Sequence, residues 1–136
     1  MTDLVSYSSS IGRLEIHVSF KIKYCHRIFD STEIKNRCKS IFEEVASTYK
    51  IFLKELGFDR DHIHMVVMLN PSMSVSSMAK LFKGTSGYKL LKEFPELKRK
   101  FFWGSGLWSP VIYFDSVGQS PELISNYVRN QGQYSG

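Results

Sequence analysis

The sequence predicts an α+β domain in which an antiparallel sheet carries helices mainly on one face. Short segments alternate between apolar and polar residues, whereas longer segments repeat their apolar residues at helical spacing. Their order along the chain is strand, helix, strand, strand, helix, strand, helix. This order is typical of ferredoxin-like or RNA-recognition-motif-like sheets, and by itself it assigns no function.

The first half of the chain contains one predicted strand and one predicted helix. Residues 12–23 alternate, so Leu14 and every second residue after it are expected on the buried side of a half-buried strand. Asp30 followed by Glu33 resembles a capping box. A helix should therefore begin there and continue at helical spacing to about Thr48.

The second half is expected to hold three strands and two helices. Two apolar segments joined by a turn at 59–61 predict an antiparallel hairpin. Gly84 and Gly87 interrupt the helix that follows, so it is expected to split in two before Pro95 ends it. Pro110 cannot donate to a ladder, which indicates an irregular start or an edge position for the last strand. The predicted strands are 50–58, 62–69 and 107–117, and the predicted helices are 74–93 and 121–131.

The bulk composition indicates one folded domain over residues 1–136. Of the 136 residues, 43% are apolar and 23% are charged, close to the average of globular proteins. Cys25 and Cys38 do not form the dense pattern of a disulfide framework, so we expect two reduced thiols. We find no apolar run long enough for a membrane span and no targeting segment, and we expect a cytoplasmic protein.

The charge pattern favours a polyanionic partner. The net charge is +5 and the isoelectric point is about 9.2. Bases interleaved with aromatic residues, which make up 14% of the chain, suit single-stranded nucleic acid. From the charges alone, a solvated helix face is an equally good interpretation. The basic window between residues 80 and 100 contains two acids and these bases: Lys80, Lys83, Lys89, Lys92, Lys98, Arg99 and Lys100.

His62-Ile63-His64 is the first candidate for chemistry. Alternation along the predicted strand places both imidazoles on one face, roughly 6.6 Å apart along the strand, and Ile63 on the other. Two imidazoles at that spacing can converge on one cation. Two ordinary surface histidines would produce the same pattern.

Tyr127 and Gln131 are the second candidate, four residues apart on one face of the last predicted helix. An amide oxygen can complete the coordination of a hard cation, although a core tyrosine is the more common reason for such a pattern. Two imidazoles and one amide leave coordination positions of the metal open. Such a site with nitrogen and oxygen donors suits Mg²⁺ or Mn²⁺ better than structural zinc. Such a metal would polarise a phosphoryl oxygen and help a tyrosine oxygen to attack.

Together these residues resemble the single-tyrosine HUH transposases, the TnpA proteins of insertion-sequence-200-like elements. HUH denotes His, a hydrophobic residue and His, here preceded by Asp61. The chain departs from the pattern at Cys25-His26 and at Arg129, which leaves the recognition of a particular element open. Five ordered segments carry the resemblance over nearly the whole chain: His17-Val18-Ser19-Phe20 with Lys23-Tyr24; Asp61 to His64; Lys83-Gly84 with Ser86; Ser109-Pro110 with Ser116-Val117-Gly118; and Tyr127 to Gln131.

The resemblance implies a DNA transposase. His62, His64 and Gln131 would bind a divalent metal, Mg²⁺ or Mn²⁺, and Tyr127 would attack the scissile phosphate to form a 5′-phosphotyrosine link. The implied substrate is single-stranded DNA with hairpins at the element ends, joined without any nucleotide cofactor. The implied working unit is a homodimer in which the tyrosine helix of one subunit can serve the histidines of the other. The basic window would form part of the DNA surface.

Two other interpretations stay open from the sequence. A non-catalytic nucleic-acid-binding module would also explain the bases and aromatic residues, and it predicts binding that needs neither Tyr127 nor a metal. The second interpretation is a related HUH nuclease: a host-domesticated relative, a replication initiator or a relaxase. Relaxases usually carry their tyrosine before the histidine pair, whereas here it follows.

Overall fold

The structure, a computed structural model, describes residues 5–6, 11–12, 14–101 and 106–116. Two 3₁₀ turns, Lys23–Cys25 and Ile28–Asp30, connect the strand Glu15–Ile22 to the helix Thr32–Thr48. The order from that strand onward confirms the predicted α+β class, while the predicted helix 121–131 lies outside the described residues. The elements are β1 (Val5–Ser6), β2 (Ile11–Gly12), β3 (Glu15–Ile22), α1 (Thr32–Thr48), β4 (Phe52–Phe58), β5 (His62–Met68), α2 (Val75–Glu93), α3 (Pro95–Lys100) and β6 (Trp108–Ser116).

Four strands form one antiparallel sheet in the order β4-β5-β3-β6, and β1 pairs with β2 separately. The β4–β5 hairpin confirms the prediction, and its turn closes where the Asp59 N–H donates to the His62 carbonyl at 2.8 Å. Pro110 lies in β6, an edge strand of the described sheet, where a missing N–H is tolerated. The β3–β6 register also shifts between Phe20 and Ile22, so the irregular start is confirmed as well.

The core lies on the face of the sheet that contacts the helices. Val18 and Phe20 of β3 are fully buried there, and the Phe20 ring lies 6.3 Å from that of Phe42 in α1. Phe42 stacks in turn on Phe82 of α2, with centroids 4.9 Å apart. Leu14 was expected on this side, but it precedes β3 and is 40% exposed, so the buried row begins at Ile16.

The start of α1 differs from the prediction by one residue. Ser31, not Asp30, is the N-cap: its backbone is extended and its Oγ accepts from the Ile34 N–H at 3.3 Å. Asp30 instead ends the preceding 3₁₀ turn and forms an ion pair with Arg27 at 3.2 Å.

The predicted split of the second helix is wrong, because α2 runs unbroken through Gly84 and Gly87. A glycine weakens a helix by about 1 kcal/mol without breaking it. Here Phe82 and Leu90, on either side of the two glycines, are fully buried and hold the helix against the core. Pro95 does end the helix, but it also begins α3, a short helix that the sequence did not predict.

The structure agrees with the expectations for the cysteines. Cys25 is exposed and Cys38 is buried on α1, and neither forms a disulfide. Burial raises the pKa of the Cys38 thiol well above its usual value. In the part of the chain that is described, no helix combines the length and apolarity needed to cross a bilayer.

Candidate active site

His62 and His64 occupy the first and third positions of β5, and strand alternation directs both side chains away from the helices. The residues between and after them, Ile63 and Met65, are fully buried in the core and anchor the strand. We call the sheet face opposite the described helices the open face. It carries both imidazoles, which confirms that they share a face, on a strand fixed by its buried side.

The His64 ring lies over the backbone of the neighbouring strand. Gly57 of β4 is its ladder partner, and a Cβ at Gly57 would overlap the ring, lying 2.5 Å from Nε2. No side chain other than hydrogen can therefore occupy position 57 while the ring keeps this orientation. The sequence did not identify Gly57, because its role depends on which strand pairs with β5.

Two carboxylates hold the His62 ring from both sides. Nδ1 lies 3.0 Å from Asp61 Oδ1, and Nε2 lies 2.9 Å from Asp59 Oδ2. The hydrogen bond from His62 lowers the pKa of the Asp61 carboxyl below its ordinary value. A carboxylate on one ring nitrogen is the usual way in which proteins orient a metal-binding histidine. Asp59, predicted only as a turn residue, is thus part of the candidate site.

These side chains fit part of a divalent metal site. The centroids of the His62 and His64 rings lie 6.5 Å apart, so a cation about 2.1 Å from one nitrogen of each requires the rings to turn toward each other. Within residues 14–101 and 106–116, no three His, Cys, Asp or Glu side chains are placed to hold a metal together. The remaining ligands would come from substrate, water or other residues. Tyr127 and Gln131 lie outside the described residues.

A third histidine, His17 of β3, also lies on the open face. Its ring centroid is 6.1 Å from that of His64. The same face carries Lys21, whose ammonium lies 5.1 Å from the centroid of the Tyr113 ring in β6. Alternation alone placed His17 away from the core, but its proximity to His64 follows from the pairing of β3 with β5. A cleft of about 210 Å³ here is lined by His17, Ser19, Tyr113, Phe114 and Asp115.

Lys83 and Ser86 of α2 form hydrogen bonds with β6. The half-buried Lys83 ammonium donates to the Ser109 carbonyl at 2.6 Å, and burial lowers its pKa. The buried Ser86 Oγ accepts from Trp108 Nε1 at 2.9 Å and donates to the Phe82 carbonyl at 2.6 Å. The structure thus gives these two residues a structural role, and a DNA contact by Lys83 stays a prediction.

The other bases of the basic window do not share one face. Nine residues separate Lys80 from Lys89, which places them on opposite sides of α2. The Lys89 ammonium lies 3.4 Å from the Glu44 carboxylate of α1, whereas that of Lys92 lies over the Tyr88 ring. Their contacts with DNA stay a prediction. The exposed bases of the last turn of α3 are Lys98, Arg99 and Lys100.

Comparisons with known proteins agree with this architecture. The family model described as IS200-like transposases matches residues 10–131. ISDra2 transposase TnpA of Deinococcus radiodurans is 26% identical over 122 residues, 89% of this chain and 86% of that protein. The transposase for insertion sequence element IS200 of Salmonella typhimurium is 30% identical over 135 residues, 96% of this chain and 85% of that protein.

Two solved structures share the fold. A Deinococcus radiodurans protein described as a candidate transposase matches with a TM-score of 0.76 and 26% identity, covering 93% of this chain and 97% of that one. A REP-associated tyrosine transposase bound to a REP hairpin matches with a TM-score of 0.59, covering 99% of this chain and 75% of that one. At 11% identity, the second match supports the fold alone.

The matched residues span the sheet, both long helices and the segment containing Tyr127. The resemblance seen in the sequence is thereby confirmed, as are the predicted enzyme class and function at the level of a transposase. On this evidence the chain belongs to the IS200-like transposase family.

Proposed function

We propose that this transposase cleaves and rejoins single-stranded DNA by transesterification, with Tyr127 as its nucleophile. The observation that supports this most is the placement of His62 and His64 on the open face of the sheet. A phosphate can approach both imidazoles there without meeting the described helices. Asp61 orients the His62 ring, and the missing Cβ of Gly57 leaves room for the His64 ring.

We propose His62, His64 and Gln131 as the protein ligands of Mg²⁺ or Mn²⁺. When bound, the cation would polarise a non-bridging phosphoryl oxygen. Asp61 would keep its hydrogen bond to Nδ1 of His62, and Nε2 would exchange its contact with Asp59 for the metal.

The reaction balances without an external energy source. The Tyr127 oxygen forms a bond to phosphorus, its proton goes to solvent, and the bond between phosphorus and the 3′-oxygen breaks. The 3′-oxygen takes up a proton, and the 5′ end stays linked to the tyrosine. A second 3′-hydroxyl then attacks this link, forms a new phosphodiester and releases the phenol. Because one ester replaces another at each step, no nucleotide cofactor is needed.

The proposed substrate is a single strand whose hairpins mark the ends of the element. The resemblance to the TnpA proteins implies this substrate, and a tyrosine transposase that shares the fold was solved bound to a REP hairpin. The exposed bases of α3 and the exposed Lys80 would supply contacts to phosphate. We propose a homodimer as the working unit.

The test incubates the full chain with single-stranded element ends and Mg²⁺ or Mn²⁺, and detects a covalent protein–DNA adduct on a denaturing gel. We expect an adduct with the wild type and with Tyr49→Phe, a control at the exposed end of α1. We expect none with Tyr127→Phe or with a chelator. An adduct that persists in Tyr127→Phe rejects this nucleophile, and one that is insensitive to chelation rejects the metal.

A further inference from the structure

Three aromatic rings meet at the end of β3, outside the proposed metal site. His26 lies over Phe101, which follows α3, with ring centroids 4.3 Å apart and planes 34° from parallel. Tyr24 meets the edge of His26 at 6.0 Å and is itself 70% exposed. We call Tyr24, His26 and Phe101 the aromatic surface. It offers ring area to solvent, mainly through Tyr24.

The backbone that presents Tyr24 is strained. Tyr24 and Cys25 have φ angles of 62° and 57°, in the left-handed region that non-glycine residues rarely adopt. Such conformations persist where the surrounding structure enforces them, and they are concentrated at functional sites. Burial of the Tyr24 side chain does not offset the cost of this conformation, because the side chain points into solvent. The strained turn instead exposes an aromatic ring.

Basic residues flank these rings along the chain. Residues 21–27 and 97–101 together contain six Lys or Arg, of which Arg27 is paired with Asp30 at 3.2 Å: Lys21, Lys23, Arg27, Lys98, Arg99 and Lys100. The Lys100 ammonium lies 5.1 Å from the centroid of the Phe101 ring. Exposed rings among cations are the combination that binds single-stranded nucleic acid, because the bases stack and the phosphates are neutralised.

The aromatic surface lies next to the histidine pair. Lys21 is the ladder partner of His62, and the Ile22 N–H donates to the Asp61 carbonyl at 2.8 Å. Tyr24 follows Lys21 by three residues, a distance of at most roughly 10 Å along the chain. A strand whose phosphate reaches His62 and His64 therefore passes within a few nucleotides of the aromatic surface.

We propose that Tyr24, His26 and Phe101 bind unpaired DNA bases adjacent to the scissile phosphate by stacking. This inference rests on the proposed function, since it takes single-stranded DNA as the substrate. It adds a base-binding surface to a site that otherwise contacts only phosphate. The surface is tolerant of sequence, because every base has a stacking face.

The test separates base stacking from attraction to phosphate. Fluorescence anisotropy measures the affinity of the full chain for a labelled oligothymidylate and for an abasic oligonucleotide of equal length, at one salt concentration and with chelator. We expect Tyr24→Ala to weaken oligothymidylate binding by about 5- to 100-fold and to leave abasic binding unchanged. Tyr24→Phe, which keeps the ring, should bind both as the wild type does.

Two further variants exclude a merely structural effect. Tyr24→Gly relieves the left-handed strain, so it should unfold at no lower temperature than the wild type and still lose base-dependent binding. Tyr49→Ala removes an exposed tyrosine at the opposite end of the sheet and should bind like the wild type. Unchanged oligothymidylate affinity in Tyr24→Ala overturns the inference, as does an equal loss for both oligonucleotides. Because these measurements need no cleavage, they stand apart from the adduct test of the proposed function.

Discussion

At the scale of single residues, the candidate site depends on small side chains as much as on reactive ones. His64 can lie across β4 because its ladder partner, Gly57, has no Cβ. Asp59 and Asp61 hold His62 from both ring nitrogens. Both arrangements follow from how the neighbouring strand and turn pack around the imidazoles.

Gly57→Ala should impair metal binding while the protein still folds. The added methyl forces the His64 ring out of its position, whereas alanine is otherwise acceptable in a strand. We expect Mn²⁺ affinity, measured by electron paramagnetic resonance titration, to fall about 10- to 100-fold, as for other residues that orient metal ligands. Gly84→Ala, where a Cβ meets nothing within 4 Å, is the matched control. Wild-type Mn²⁺ affinity in Gly57→Ala would contradict this role.

Ser86→Ala should destabilise the fold by about 1–3 kcal/mol, because it leaves the buried Trp108 indole N–H without its acceptor. Urea unfolding measures the change. Ser76→Ala, at an exposed position of the same helix, should change stability by no more than about 0.5 kcal/mol. Equal stability of the two variants would show that the Trp108 hydrogen bond contributes nothing.

At the scale of elements, helix α2 organises much of the molecule. Its Phe82 stacks on Phe42 of α1, its Lys83 and Ser86 form hydrogen bonds to β6, and its Glu93 forms an ion pair with α1. Its glycines do not interrupt it. Tertiary contacts along both sides therefore outweigh the local preference of glycine for other conformations.

Gly84→Ala should stabilise the protein by about 0.5–1 kcal/mol. The position is exposed, lies inside a continuous helix and has room for a methyl group, so alanine lowers the entropy of the unfolded chain at no steric cost. Thermal or urea unfolding measures the gain. A loss of stability would mean that α2 does need glycine at this position.

The Arg37–Glu93 pair should make the α1–α2 contact sensitive to acid. Arg37 donates to Glu93 at 2.7 Å and 3.0 Å, which lowers the pKa of the Glu93 carboxyl from its ordinary value and raises the pKa of Arg37. A depressed carboxyl pKa contributes stability that is present above about pH 4.5 and is lost as the pH falls through the folded-state pKa.

Glu93→Gln should therefore reduce the fall in unfolding free energy between pH 6 and pH 3, measured by urea titrations at each pH. Asp61 has the same sign of shift and contributes in both proteins. Glu43→Gln, at an exposed position of α1, is the control and should keep the wild-type pH dependence. A fall as steep in Glu93→Gln as in the wild type would exclude the ion pair as its source.

At the scale of the whole molecule, the chemistry divides between two parts of the chain. The histidine pair lies on the central sheet, whereas the proposed nucleophile Tyr127 comes more than sixty residues later. A sheet buried on one face holds ligands rigidly. In the proposed homodimer, Tyr127 would serve either the histidines of its own subunit or those of its partner.

Mixing two inactive variants should test the proposed exchange between subunits. Tyr127→Phe keeps the histidines, and His64→Ala keeps the tyrosine. If the tyrosine serves the partner's histidines, mixed dimers contain one complete site, and we expect an adduct on the His64→Ala chain after the two proteins are unfolded and refolded together. Each variant refolded alone is the control. No adduct in the mixture, with mixed dimers verified by tagged pull-down, would place both groups in one subunit.

Much of the fold follows from local patterns. Alternation in β3 and β5 predicted which residues face the core and placed His62 and His64 together, because successive side chains of any strand point to opposite faces. The same local reasoning failed at Gly84, where packing decides, and at Asp30, where the preceding turn assigned the cap to Ser31.

Local patterns in the chain were enough to predict the fold class, the family and the residue types that can hold a metal or attack a phosphate. The contacts between distant residues became visible only once the strands were paired: Gly57 under His64, His17 beside it, and Lys83 turned inward to Ser109. The two kinds of information differ in range along the chain. Strand and helix periods are properties of neighbouring residues, whereas these contacts join residues whose proximity exists only after strands pair and helices pack.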